Sequence, residues 1–215
     1  MHNNAERDPC QKNTVKTTTS PRVRRPLVLA SSSVYRKLLL ERLGLPFVVA
    51  APAVDEAVLR GETPADAAVR LAEAKARAVA PAHPEALIIG ADQVADLDGA
   101  VVGKPRHAKH ALEQLKAMQG RTIVFHTGLA LLDARSGNCR RALVDVAASF
   151  RDLSNAALEA YLERDRPYDC AGSVKVETLG IALFTRVASD DPTALIGLPL
   201  IRLCDMLIAE GLEPL

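Results

Sequence analysis

The stretch Leu27 to Gly44, LVLASSSVYRKLLLERLG, restricts the fold more than any other part of the chain. Four apolar residues read as a buried strand. They stop at three serines, and a leucine-rich helix follows, closed by Gly44 as a C-cap signal. A strand that feeds a helix through small hydroxyl residues commits the chain to α/β architecture. It also leaves backbone N–H groups unpaired at the helix start, where an anion can bind.

The remaining patterns extend that reading. Residues 46–52 form a second apolar run, ended by Pro52. Residues 63–80 carry a helix with Thr63 as N-cap, proline at the first helical position and Asp66 in the first turn. EALIIGAD, residues 85–92, has the continuous apolar character of a central strand. A hairpin about Asp98-Gly99 is expected across 95–105. A helix over 107–118 stops at Gly120. Residues 121–133 and 139–153 pair as a long hairpin, followed by a helix over 154–164 capped by Ser154. A strand over 180–188 and a helix over 198–211 close the chain. This mixed order predicts α/β with a partly antiparallel sheet, and no internal repeat is present.

Composition narrows the function. Of 215 residues, 48% are apolar and 25% charged, with a net charge of +1, as in ordinary globular domains. Tryptophan is absent and only 3% of residues are aromatic, which argues against a stacking platform for single-stranded nucleic acid. No basic field covers the chain, so nucleic acid is not an expected partner. The apolar runs are too short to span a bilayer. Cys10, Cys139, Cys170 and Cys204 are far apart and signal neither a zinc site nor a disulfide framework. Residues 1–25 stand apart: six cations face Glu6 and Asp8 among Asn, Thr and Ser, with no apolar core of a secretory signal. A disordered basic extension is expected there, with a mitochondrial-type address as the alternative, and the folded domain is expected over 26–215.

Polar residues at the element ends form the candidate site. Ser31, Ser33 and Arg36 open the first helix, Asp55-Glu56 is an adjacent acid pair, and Asp92 follows an apolar strand. Lys104 lies in Gly-Lys-Pro after the hairpin, and Lys75 lies on the alanine-rich helix. Singly, each residue fits a cap or a solvated surface. Gly103-Lys104-Pro105 lacks the upstream glycines of a P-loop. Together they supply what phosphoanhydride cleavage needs: carboxylates for a hard cation and for water, and cations for the phosphate chain.

The motifs LASSSVYRKLLLERLGLPF, VDE, RLAEAKA, IIGADQVADLDGAVVGKP, HTGLAL, CAGSVKVETLGIALF and ALIGLPLIRL occur in the order found in Maf proteins. Over residues 27–211 the chain resembles that family, most closely its YceF-type branch, assigned as 7-methyl-GTP pyrophosphatase. The resemblance implies a mixed sheet with flanking helices in two lobes around a cleft, like the inosine triphosphate pyrophosphatases. It implies a cytoplasmic enzyme, often dimeric, that uses a divalent cation of the Mg²⁺ or Mn²⁺ type. Its reaction would cut the α–β anhydride of a nucleoside triphosphate, releasing pyrophosphate. The family's catalytic aspartate falls on Asp92, its phosphate-binding residues on Ser31, Ser33, Arg36, Lys75 and Lys104, and its metal-facing acids on Glu56 and Asp92.

Three positions separate the branches. Maf proteins that prefer dTTP and UTP carry arginine, threonine and glutamine where this chain has Tyr35, Gln93 and Glu177. A 7-methylguanine base is cationic and rich in donors. An aromatic ring can stack on it with roughly 0.5–2 kcal/mol of cation–π attraction, and a carboxylate can accept from N1–H and N2–H. The expected substrate is therefore 7-methyl-GTP. A dTTP/UTP pyrophosphatase and a nucleotide-binding regulator of septum formation are the alternatives. The chain departs from the branch pattern at Val34 and Tyr35, where Pro-Trp is usual, and at Val174, Val176 and Thr178.

Overall fold

A computed structural model describes residues 25–215. The tail expected over residues 1–25 thus falls, through residue 24, outside the described residues. Seven strands form one mixed sheet: β1 (Leu27–Ala30), β2 (Val48–Ala50), β3 (Leu87–Leu97), β4 (Ala100–Val102), β5 (Thr122–Asp133), β6 (Cys139–Phe150) and β7 (Phe184–Ala188). The helices are α1 (Val34–Glu41), α2 (Pro64–Val79), α3 (Ala108–Met118), α4 (Asn155–Asp165) and α5 (Leu200–Ala209). The sheet runs β2-β1-β3-β5-β6-β7, with β4 also on β3. β1 is parallel to both β2 and β3, and every other pairing is antiparallel. The two-lobed α/β expectation holds.

The pairing of β3 creates an opening. On one edge, β1 pairs with β3 as far as Ala30 opposite Gly90. On the same edge, β4 begins pairing only at Ala95 opposite Val102. Residues 91–94 therefore lack a strand partner on that side, while β5 pairs β3 on the other side from Leu87 to Asp96. The chain leaves β1 at this gap and turns into α1.

Packing divides into lobes around it. On one face of the sheet, α1 and α5 bury Leu39, Leu40, Leu203 and Leu207 against Leu29, Leu87, Ile89 and Leu131. In the other lobe, α3 and α4 bury Leu115, Met118, Leu158 and Leu162 with Phe125, Phe150 and Phe184. The Phe150 and Phe184 rings meet edge to face at 4.8 Å. α2 lies very close to the sheet, because its buried residues Ala67, Ala68, Ala72 and Ala76 are small and Gly90 and Gly128 face it. A Cβ on either glycine would collide with the α2 backbone, at the carbonyls of Ala72 and Ala68.

The expected boundaries shift in three places. β2 keeps only three of the seven apolar residues of 46–52. The strand expected to end at Asp92 continues to Leu97, because β5 pairs it as far as Asp96 and β4 pairs it from Ala95 to Leu97. The strand expected over 180–188 begins at Phe184, since a tight turn over Leu179–Leu183 precedes it. There the Gly180 N–H is taken by Lys175 O at 3.1 Å and by Asp165 Oδ2 at 3.1 Å. Among the described residues, no helix is long and apolar enough to cross a membrane.

Candidate active site

The gap in β3 opens into a cleft of about 1020 Å³. All eleven side chains singled out in the sequence line it: Ser31, Ser33, Tyr35, Arg36, Asp55, Glu56, Lys75, Asp92, Gln93, Lys104 and Glu177.

Its floor is set by backbone geometry. The Ser31 hydroxyl, just beyond β1, accepts from the Ser33 N–H at 3.1 Å, and Ser33 Oγ caps α1 by accepting from the Arg36 N–H at 3.4 Å. No acidic residue occupies the first turn of α1, so its positive end is uncompensated by its own helix. Arg36 Nε donates to Gly197 O at 2.8 Å. Gly197 has φ +114°, and a Cβ there would stand 3.3 Å from Arg36 Nε, so glycine serves both the turn and the guanidinium. Burial lowers the Arg36 pKa, and the charges of Asp92 and Glu56 act against that shift.

Lys75 and Asp92 are buried, at 5% and 8% exposure. Lys75 Nζ donates to Asp92 Oδ1 at 2.5 Å and also pairs with Glu56, which reaches in from an exposed loop. Two carboxylates thus converge on one ammonium. Partial burial pushes the Glu56 carboxyl up, but the hydrogen bond from Lys75 and the charges of Lys75, Lys104 and Arg36 outweigh it. Its net shift is downward, so it is held ionised. Among the described residues, no cluster of three or more His, Cys, Asp or Glu side chains could hold a metal ion. Glu56 and Asp92 fit a hard cation only as part of a ligand set that phosphate oxygens and water complete, as Mg²⁺ commonly requires.

Gln93 and Asp92, adjacent in β3, face opposite sides of the sheet. The Gln93 amide nitrogen donates to Ala194 O at 2.9 Å, Leu195 O at 3.0 Å and Thr127 Oγ1 at 3.1 Å. It therefore secures the segment that carries Gly197. Asp191 anchors the same segment: Oδ1 accepts from Thr193 Oγ1 at 2.6 Å and Oδ2 from the Ile201 N–H at 2.7 Å.

Tyr35 and Glu177 have acidic neighbours. Burial first, then Cys170, Asp169 and Glu177, push the Tyr35 phenol up to about 12. Partial burial also raises the Glu177 carboxyl, reinforced by Asp169 and Asp165 and opposed by Lys175. Burial and Asp169 raise the Cys170 thiol to about 12, so it is not a thiolate nucleophile at neutral pH.

Sequence reasoning missed several residues. Asp169, Cys170 and Arg106 line the cleft, and the Lys175 ammonium stands over the Tyr35 ring. A buried relay ties the two loops together. Gln114 Nε2 donates to Gly103 O at 3.0 Å, Ser173 Oγ to Gln114 Oε1 at 2.6 Å, and Tyr161 Oη to Ser173 O at 3.1 Å. The Lys175 N–H then donates to Tyr161 Oη at 3.0 Å. The motif CAGSVKVE contained Ser173 and Lys175, but the partners Gln114 and Tyr161 lie on separate helices with nothing polar in pattern to mark them.

The sequence profile described as Maf-like protein matches residues 26–210. The chain is 57% identical over 186 residues to the 7-methyl-GTP pyrophosphatase of Cupriavidus metallidurans, covering 86% of this chain and 93% of that one. It is 50% identical over 193 residues to the protein of that name from Albidiferax ferrireducens, covering 90% and 97%. With the one from Polaromonas sp. it shares 51% over 208 residues, covering 97% and 94%.

Proposed function

This chain is a member of the Maf family, and on that premise we propose that it is a nucleoside triphosphate pyrophosphatase acting on 7-methyl-GTP. It hydrolyses the α–β phosphoanhydride to 7-methyl-GMP and pyrophosphate and so removes a modified nucleotide from the cell pool. The observation that carries this reading is the charge arrangement of the cleft. Glu56 pairs with Lys75 and feels the charges of Lys104 and Arg36, whereas Tyr35 feels the charges of Asp169 and Glu177. One group suits a polyphosphate, and the other suits a cationic ring.

Asp92 is the general base that takes a proton from water as the water attacks the α-phosphorus. Lys75 holds that carboxylate in place. Ser31, Ser33 and the start of α1 receive phosphate oxygens, and Arg36, Lys75 and Lys104 stabilise charge on the departing pyrophosphate. Glu56 and Asp92 are the residues that would hold a divalent cation of the Mg²⁺ or Mn²⁺ type, together with the substrate's phosphate oxygens. When bound, such a cation neutralises the triphosphate and polarises its phosphoryl oxygens. Tyr35 stacks on the base, Glu177 accepts from its N1–H and N2–H, and Gln93 fixes the adjoining segment. The partner is a small-molecule nucleotide. A homodimer in the cytoplasm is the proposed setting, in keeping with the free thiols of Cys139, Cys170 and Cys204.

The test is pyrophosphate release, with Mg²⁺, from 7-methyl-GTP, GTP, dTTP and UTP. The expected outcome is a preference for 7-methyl-GTP of tenfold or more, about 1.4 kcal/mol. Asp92→Asn should lower kcat by about 10²–10⁴-fold. Release chiefly from dTTP or UTP would keep the chemistry and overturn the base contacts. No release from any of the four by the folded protein would favour a binding or regulatory role.

A further inference from the structure

The Lys175 ammonium lies 5.7 Å from the centroid of the Tyr35 ring, within the range over which an aromatic face attracts a cation. Its backbone is fixed by the Tyr161 hydroxyl, at 3.0 Å from its N–H. The side chain beyond is a flexible stem that can leave the ring at little cost. Around it stand acids: Glu177 feels the charges of Lys175, Asp169 and Asp165 together. Lys175 is thus a positive charge set among the same acids and on the same ring that a cationic base would use.

We infer that Lys175 is a specificity-determining residue, an internal counter-cation of the Tyr35–Glu177 subsite that competes with a positively charged base. It thereby sets how strongly the cleft prefers a cationic base to a neutral one. This rests on the reading of Tyr35 and Glu177 as base contacts. The sign of the effect follows from charge. A cationic base arriving at Tyr35 must displace Lys175 or tolerate its repulsion, whereas a neutral base meets no such penalty. Removing the ammonium therefore favours the cationic base selectively. A mere packing role predicts the reverse: loosening Tyr35 would weaken binding of both bases and narrow the difference between them.

Lys175→Met keeps most of the alkyl stem and removes the charge, and Lys175→Arg keeps the charge. Calorimetric binding of 7-methyl-GMP and GMP to each variant isolates the base contact, with competitive hydrolysis of 7-methyl-GTP and GTP alongside. The methylated-to-unmethylated ratio is expected to rise by about two- to fivefold in Lys175→Met. It is expected to stay near wild type in Lys175→Arg, with the gain shrinking as salt is added. An unchanged or lower ratio in Lys175→Met overturns the inference. If wild type itself shows no preference for the methylated nucleotide but the ratio still rises in Lys175→Met, the counter-cation stands and the proposed substrate falls. If wild type prefers it and Lys175→Met leaves the ratio alone, the substrate stands and the counter-cation falls.

Discussion

The base contact proposed for Glu177 can be followed through the ionisation of its carboxyl. Partial burial and the neighbouring Asp169 and Asp165 hold its carboxyl above the ordinary carboxylate range. As pH falls from neutral, it therefore takes up a proton sooner than an ordinary carboxylate. The protonated form loses the charge that complements a cationic base. Selectivity for 7-methyl-GTP over GTP should decline in wild type as pH is lowered from neutral into the acid range. In Glu177→Gln it should be about tenfold lower at neutral pH and flat across the same range, as for a lost charge-assisted contact. The ratio of kcat/KM values against pH measures both. A wild-type ratio that does not move with pH would remove Glu177 from the base contact. At this scale the sequence was informative where chemistry follows residue type. Asp92, Lys75 and Glu56 stand in one cluster, as their acid and base character suggested. Lys175 and Asp169 were not legible, because their relation to Tyr35 exists only after distant segments meet.

α2 sets the position of Lys75, and two glycines decide how closely the helix sits on the sheet. Gly90 has no left-handed backbone angle, since it is not among the glycines with positive φ. Its requirement for glycine is purely steric: a methyl group would enter the Ala72 carbonyl. Gly90→Ala should therefore destabilise the fold by about 1–3 kcal/mol, measured by urea unfolding. It should also lower kcat by lifting Lys75 away from Asp92. A variant as stable and as active as wild type would mean that α2 does not rest on β3 as described. The helix itself was readable from its Thr63 cap, Pro64 and alanine-rich face. The glycines on the strands gave no sign of what they face. The length of β3 was hidden for a related reason. Asp92, Gln93 and Asp96 interrupt its apolar run, and pairing with β5, joined by β4 at Asp96, keeps the strand extended through them. Asp92 and Gln93 of that interruption line the cleft, so local pattern failed where the strand borders it.

In the whole molecule, the cleft and the fastening of the chain occupy opposite ends of β1. Ser31 and α1 follow its carboxyl end, beside the point where β3 loses its parallel partner, and open parallel sheets bind ligands at that end. At the other end, Arg25 pairs with Asp133 at the β5–β6 turn and approaches Glu210 beyond α5, which also receives Arg140 at 2.8 Å. This clasp joins the first described residue to both the long hairpin and the last helix. Burial pushes the Asp133 carboxyl up, but hydrogen bonds from Arg25, Ser136 and the Arg135 N–H bring it down from 3.8 to about 2. A depressed carboxylate contributes stability that is fully present above its unfolded pKa and is lost as pH falls through the folded one. The Asp133 contribution is therefore intact above pH 4 and disappears as pH falls to about 2. Because the carboxylate keeps contact with water, its worth is about 1 kcal/mol rather than the full shift. Arg25→Met should lower stability by that amount at pH 7. The difference from wild type should vanish near pH 2, as measured by denaturant unfolding at the two pH values. The kcat at pH 7 should not change, because the clasp touches no residue of the cleft. Equal losses at both pH values would assign the effect to packing of the arginine stem. A fall in kcat would mean that the two ends of β1 are coupled.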